Sequence, residues 1–227
     1  MAKYQEASGY IIHMRPFKDS SLIIEFFSQE FGLLHIIAKG IKKNKQLKSQ
    51  LQYFNFLSIQ FYGKSSLKNL TSINVVENYQ LTKLVDRMSA LYLNELLHFS
   101  LQQGEVAELL FKSYKTALHS LPNMKLSLVL RTFEFQLLKY VGFELSVNQF
   151  KNPNDWLTMD QNHGLVKTTQ EKLKLCSASD LARFINGEKL ARDELKNINK
   201  IMYAAINMSL SHKKLYSRDL LQSLLSK

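Results

Sequence analysis

The chain has 227 residues, 45% of them hydrophobic, and carries 30 Lys and Arg against 19 Asp and Glu for a formal net charge of +11. That apolar content argues against a disordered chain, and a lone Cys176 excludes an internal disulfide or a cysteine framework for metal. No apolar run approaches the roughly 20 residues a membrane helix needs. The opening Met1-Ala2-Lys3-Tyr4-Gln5-Glu6 lacks a signal-peptide core, so a cytoplasmic protein is expected. The positive excess favours a polyanion as partner, with solubility alone as the plainer explanation.

In chain order, five short segments rich in β-branched and aromatic residues read as strands. They are Tyr10-Ile11-Ile12, Ser21 to Phe27, Leu33 to Ala38, Phe56 to Tyr62 and Leu70 to Val76. Arg15-Pro16, Phe31-Gly32 and Tyr62-Gly63 supply turn-like breaks, and Leu57-Ser58-Ile59-Gln60-Phe61 alternates as a strand with one buried face should. Five strands suit a small closed barrel better than a sandwich, which needs about seven.

From Tyr79 the apolar period becomes helical. Leu93, Leu96, Leu97 and Leu101 form one stripe, Leu109, Leu110 and Tyr114 a second, and Leu126, Val129, Leu130, Phe133, Leu137, Tyr140 and Val141 a third. Leu121-Pro122-Asn123 separates two of these helices. The stretch 148–169 is polar and irregular. Ser177 and Asp180 form a capping pattern that opens a helix closed by Gly187, and two more helices follow near Arg192 to Ser211 and Ser217 to Leu225. The expected architecture is α+β: a β-barrel at 1–78 and an all-helical domain at 79–227.

The sharpest local feature is the segment Lys39 to Lys48, which leaves a strand with five lysines and no acid. Such a loop can lie along a phosphate backbone, where each neutralised phosphate releases counterions. Lys39, Lys42, Lys43, Lys45 and Lys48 are therefore the DNA-binding candidates, with Arg15 a less secure addition because Pro16 favours a turn there. Tyr53, Phe54, Phe56, Phe61 and Tyr62 could stack on unpaired bases, although alternation assigns most of them to the barrel core. His212-Lys213-Lys214 with Arg218 reads as solvated surface, and Asn94-Glu95 as the polar face of a helix.

Catalytic patterns are missing. The six histidines include no pair at metal-binding helical spacing, and neither a phosphate-binding glycine loop nor a nucleophile elbow occurs. No cofactor, no metal and no enzymatic activity are expected. A nuclease, the enzymatic alternative, would need clustered carboxylates.

The order of motifs resembles the RecO family. The N-terminal part carries Gly9-Tyr10-Ile11-Ile12-His13-Met14-Arg15-Pro16-Phe17, Ser20-Ser21-Leu22, Gly32, Ala38-Lys39-Gly40 and Leu47-Lys48-Ser49-Gln50-Leu51-Gln52-Tyr53-Phe54. The helical part carries Leu91-Tyr92-Leu93-Asn94-Glu95-Leu96-Leu97, Leu130-Arg131-Thr132-Phe133-Glu134 through Val141-Gly142-Phe143, and Leu215-Tyr216-Ser217-Arg218-Asp219-Leu220. Residues 148–190 are the least covered.

The resemblance implies an OB-fold barrel, binding to single- and double-stranded DNA, annealing of complementary strands, and cooperation with RecR in loading RecA on DNA coated by single-strand-binding protein. It also implies capture of the acidic, apolar tail of that coat protein on the helical domain. Arg131 matches a family position, and Leu128, Phe135 and Leu138 would form the groove beside it. Some family members hold zinc through four cysteines after the Val141-Gly142-Phe143 equivalent; here only Cys176 remains. An OB-fold RNA-binding protein is the alternative, because a barrel with a basic loop does not distinguish the nucleic acids.

Overall fold

The computed structural model describes residues 4–41 and 44–226. By packing the chain divides into two units, Met1–Pro122 with Leu215–Lys227, and Asn123–Lys214.

In the first unit β1 (Tyr4–Phe17), β2 (Ser21–Ser28), β3 (Gly32–Ala38), β4 (Asn55–Tyr62) and β5 (Leu67–Asn78) form a closed barrel in the order β1-β2-β3-β5-β4. All neighbours run antiparallel except the β3–β5 pair, which is parallel. This is the OB-like five-stranded barrel expected. A short helix α1 (Lys45–Gln50) bridges β3 and β4. Alternation sends Ile24, Phe26, Leu34, Ile36, Leu57, Ile59, Phe61 and Ile73 into the barrel core.

The outer face of β1 and β2 is buried as well. Helices α2 (Leu84–Ser100) and α3 (Glu108–Ser120) belong to this unit. Phe111 of α3 lies 5.6 Å from Tyr10 and 5.2 Å from Phe27, and Tyr114 meets Tyr10 edge-on at 5.1 Å. The apolar runs Ile23 to Phe27 and Leu33 to Ala38 thus serve two cores. Leu109, expected in the α3 stripe, points outward and is 75% exposed, while Phe111 takes its place.

Close approach fixes two glycines. A Cβ on Gly9 would strike the carbonyl oxygen of Phe27, and one on Gly32, at φ +66°, that of Glu105. Arg15-Pro16 is not a turn: both residues lie inside β1, and the turn falls at 18–20 with Lys18 at φ 52°. β1 pairs with β4 only through Gly9, so the N–H that Pro16 lacks removes no ladder bond on that side.

The remaining helices are α4 (Leu126–Tyr140), α5 (Ala178–Ile185) and α6 (Arg192–Ser209), all in the second unit, and α7 (Tyr216–Leu225), which returns to the first. In the second unit the stretch expected to be irregular contains a small sheet, β7-β6-β8, built from β6 (Trp156–Asp160), β7 (Gly164–Lys167) and β8 (Cys176–Ser177). Its strands are too short to set a period, and only Leu157, Leu165 and Cys176 are buried. Ser177 caps α5 by accepting from the Asp180 N–H at 3.0 Å, as its pattern suggested. Asp180 itself accepts from Asn197 of α6 at 3.0 Å, so the side chain ties two helices together.

Asn94 and Glu95 are not an ordinary polar face. Asn94 is 2% exposed and accepts from the Tyr114 hydroxyl. Glu95 accepts from the N–H groups of Tyr216 and Ser217, both at 3.0 Å, and from the Ser217 hydroxyl. The carboxylate caps the N-terminus of α7, whose own cap position is Leu215 and offers no side-chain acceptor. Glu95→Ala should destabilise the protein by about 1–2 kcal/mol, the usual loss for a helix cap. Urea unfolding checks this, and a variant as stable as the parent would refute it.

A second polar cluster sits on the outer face of the barrel. Glu25 of β2 is opposite His13 of β1 and His35 of β3, and His98 of α2 holds it at 2.6 Å through Nδ1. His13 stacks on His98 with ring centroids 4.4 Å apart. Burial alone would raise the Glu25 carboxyl, but the His98 hydrogen bond and the three neighbouring imidazoles bring it below its ordinary value. Burial, then His98, lower the His13 imidazole against the pull of Glu25.

Both shifts act in the same direction. The unfolded chain takes up the His13 proton first as pH falls below the usual histidine value of about 6.5, and Glu25 loses its contribution at still lower pH. Melting temperature should therefore fall on acidification from pH 7, and His13→Gln should flatten the decline just below about pH 6.5. Parallel curves for parent and variant would contradict this.

Candidate nucleic-acid interface

Chain direction and apolar anchors shape the basic segment. β3 ends at Ala38, Gly40 turns the backbone at φ +70°, and Ile41, 5% exposed, pins the chain by donating its N–H to Ser20 at 2.8 Å. Asn44 caps α1 by accepting from Leu47 at 2.9 Å, and Leu47 and Leu51 face the barrel core. Hydrophobic residues thus hold the segment while its charges stay in water. Lys39, Lys45 and Lys48 are exposed, and none has an ion-pair partner among the described residues. Lys42 and Lys43 lie outside the described residues.

The sheet register extends this positive end. Ala38 pairs with Leu22 and Leu22 with Pro16, which puts Lys39 and the exposed Arg15 at the same end of three adjacent strands. The structure therefore brings Arg15 and Lys39 together. His212, Lys213 and Lys214 belong to the other unit, and Arg218 to α7.

The aromatic candidates divide. Phe61 is core, 1% exposed. Tyr53 packs on the core and accepts from the Met14 N–H at 3.1 Å. Phe56 lies 5.3 Å from Tyr10 and under the Lys115 ammonium at 4.5 Å, and Tyr62 meets Tyr4 edge-on at 5.8 Å. Phe54 is half-buried at φ 68°, an uncommon conformation for an aromatic residue.

On α4, Arg131 already has a carboxylate partner. Its Nη2 is 2.7 Å from Glu134, which is fully buried, and the arginine side chain is itself only 13% exposed. Phe135 and Leu138 are buried, Phe135 against Phe184 at 5.8 Å, so of the three groove candidates only Leu128 is partly open. Nothing in the sequence pattern marked Glu134 as the counterion except its i, i+3 spacing.

Cys176 lies in the region where the family resemblance raised a zinc site. Cys176 is buried, with its thiol pushed far up by burial, and no group of three His, Cys, Asp or Glu converges among the described residues. Among the described residues, no helix is long and apolar enough to cross a membrane.

Two family descriptions match the chain: Recombination protein O N terminal over residues 1–79 and Recombination protein O C terminal over residues 82–149. The chain is 29% identical to DNA repair protein RecO of Glaesserella parasuis, covering 96% of this chain and 95% of that one. It is 37% identical to the RecO of Alteromonas mediterranea over 60% of this chain and 58% of the other, and 35% identical to that of Cellvibrio japonicus over 60% and 59%. The N-terminal match spans the barrel and the C-terminal match spans α2 to α4, so most of the chain is accounted for: it belongs to the RecO family of DNA repair proteins.

Proposed function

We propose that the chain is a non-catalytic, cytoplasmic mediator of recombinational repair. It binds single- and double-stranded DNA, anneals complementary strands and, with RecR, helps load RecA on DNA coated by single-strand-binding protein. Family membership supports the setting. The observation that carries DNA binding is the cluster of exposed cations at one end of the barrel, Lys39, Lys45, Lys48 and Arg15, none of them with an ion-pair partner among the described residues. The barrel is the nucleic-acid module of this reading, and the helical part receives the tail of the coat protein.

Annealing of complementary strands precoated with single-strand-binding protein tests binding and mediation together. Acceleration by the parent is expected, and equal rates with and without protein would defeat the proposal. Replacing Lys39, Lys45 and Lys48 by Ala should lower the slope of log affinity against log salt by about two, at roughly 0.7 per phosphate contact on a single strand. An unchanged slope would remove these lysines from the interface. Competition by RNA of equal length, if as effective as DNA, would favour the RNA-binding alternative.

For the coat-protein tail, the Glu134 pair dictates the choice of variant. Arg131→Ala leaves a buried carboxylate without its cation, a change that costs about 3–5 kcal/mol in comparable buried pairs. Arg131→Lys keeps the charge and loses the two-pronged geometry that holds a carboxylate. It should weaken capture of a tail peptide severalfold while leaving naked-DNA affinity intact. Equal losses in both would show that the two sites are not separate, and an unchanged peptide affinity would remove Arg131 from tail binding.

A further inference from the structure

Beside the basic segment, in the barrel unit, the surface opens into a pocket of about 420 Å³ between the end of α1 and the segment that follows β5. This volume lies within the range of small-ligand sites, about 300–1,000 Å³. Four carboxamides line it, those of Gln52, Asn55, Asn78 and Gln80, and no acid does. None of the four side chains has a hydrogen-bond partner among the described residues. For Gln52, Asn78 and Gln80, exposed to water, that is ordinary. Asn55 is 5% exposed as a residue, and its amide atoms still reach solvent.

The rest of the lining has matching chemistry. Phe54 presents a ring at the pocket while holding a left-handed backbone, a strained conformation that persists only where its surroundings impose it. Those surroundings are visible: Tyr53 before it is tied to Met14, and Asn55 after it is paired with Asn78 as β4 begins. Arg87 is anchored through Nε to the Leu81 carbonyl at 2.6 Å. Arg87 also lines the pocket.

Carboxamides with both donors and acceptors, an aromatic face and no negative charge are the groups that recognise a nucleobase: the amides meet its edge and the ring its face. A base within a duplex presents neither freely, since its pairing edge is used and its faces are stacked. We infer that this pocket receives one unpaired base of a DNA strand whose backbone runs along Lys45 and Lys48. The inference rests on the DNA-binding proposal and deepens it: the lysines supply affinity for any polyanion, and the pocket supplies the preference for single strands.

The test uses the full chain and a double variant, Phe54→Gly with Gln80→Ala. Glycine adopts the φ of 68° without strain, and Gln80 is exposed, so the barrel should fold as before. Melting temperature confirms this, and Phe54→Gly alone serves if the pair melts early. Affinity for a fluorescent single strand should fall about tenfold, as expected for the loss of one stacked base, while affinity for a blunt duplex stays within about twofold. A 2-aminopurine in the strand should change its fluorescence on binding the parent and not the variant. Equal losses for single strand and duplex, or no loss for the single strand, would overturn the pocket's role. A parent that binds neither form would instead overturn the DNA-binding proposal itself.

Discussion

The barrel of this protein is buried on two sides at once, and most of the remaining architecture depends on that. Tyr10 and Phe27 lie on the outside of β1 and β2, yet both are completely inaccessible because Phe111 and Tyr114 close over them. A free barrel would present these rings to water. Aromatic side chains bury large areas, so this layer makes α3 an integral part of the barrel unit. It also limits where a ligand can go. With β1 and β2 covered, the open surface is the far side, where Val75 and Val76 of β5 are exposed, together with the ends of the strands. The basic segment and the amide-lined pocket both lie in the connections at those ends.

Electrostatics follows the same division. Toward the interior, three carboxylates have fixed partners: Glu25 has its histidines, Glu134 its arginine, and Glu95 the N-terminus of a helix. Low-dielectric surroundings make an unmatched charge costly, and these contacts offset that cost. Outside, Lys39, Lys45 and Lys48 have no ion-pair partner among the described residues, and apolar anchors on either side hold the segment in place. A positive surface of this kind is stable only because water solvates it, and a phosphate backbone can replace that water.

The barrel was legible in the sequence because its strands carry their period in single residues. Leu57, Ile59 and Phe61 alternate with Ser58 and Gln60, and the five runs have turn residues between them. The barrel's true extent was not legible. β1 runs from Tyr4 to Phe17, well beyond Tyr10 to Ile12, because the residues that extend it, such as Gln5, Glu6, Ser8, Arg15 and Pro16, carry no apolar period. The sheet of β6 to β8 escaped for a related reason, since strands of two to five residues cannot establish a period. In the candidate interface the lysines could be read directly from charge. Glu95 and the pocket could not, because each depends on residues brought together from distant parts of the chain; Glu134 is only three residues from Arg131, but its burial was not visible in the pattern.

One feature of the topology bears on how the molecule is made. Glu95 grips the start of α7, and α7 belongs with the barrel, so the whole of Asn123–Lys214 is inserted into a unit that begins before it and ends after it. During synthesis the barrel strands, α2 and α3 emerge first, but the seat for α7 stays open until α7 itself has emerged. Closing a loop of that length adds only a modest entropic cost, since the cost grows with the logarithm of length. The consequence is one of timing. The surface of α2 that receives α7, with Glu95 on it, is completed only after the inserted unit has been made. That makes it the surface a folding chaperone has most time to meet.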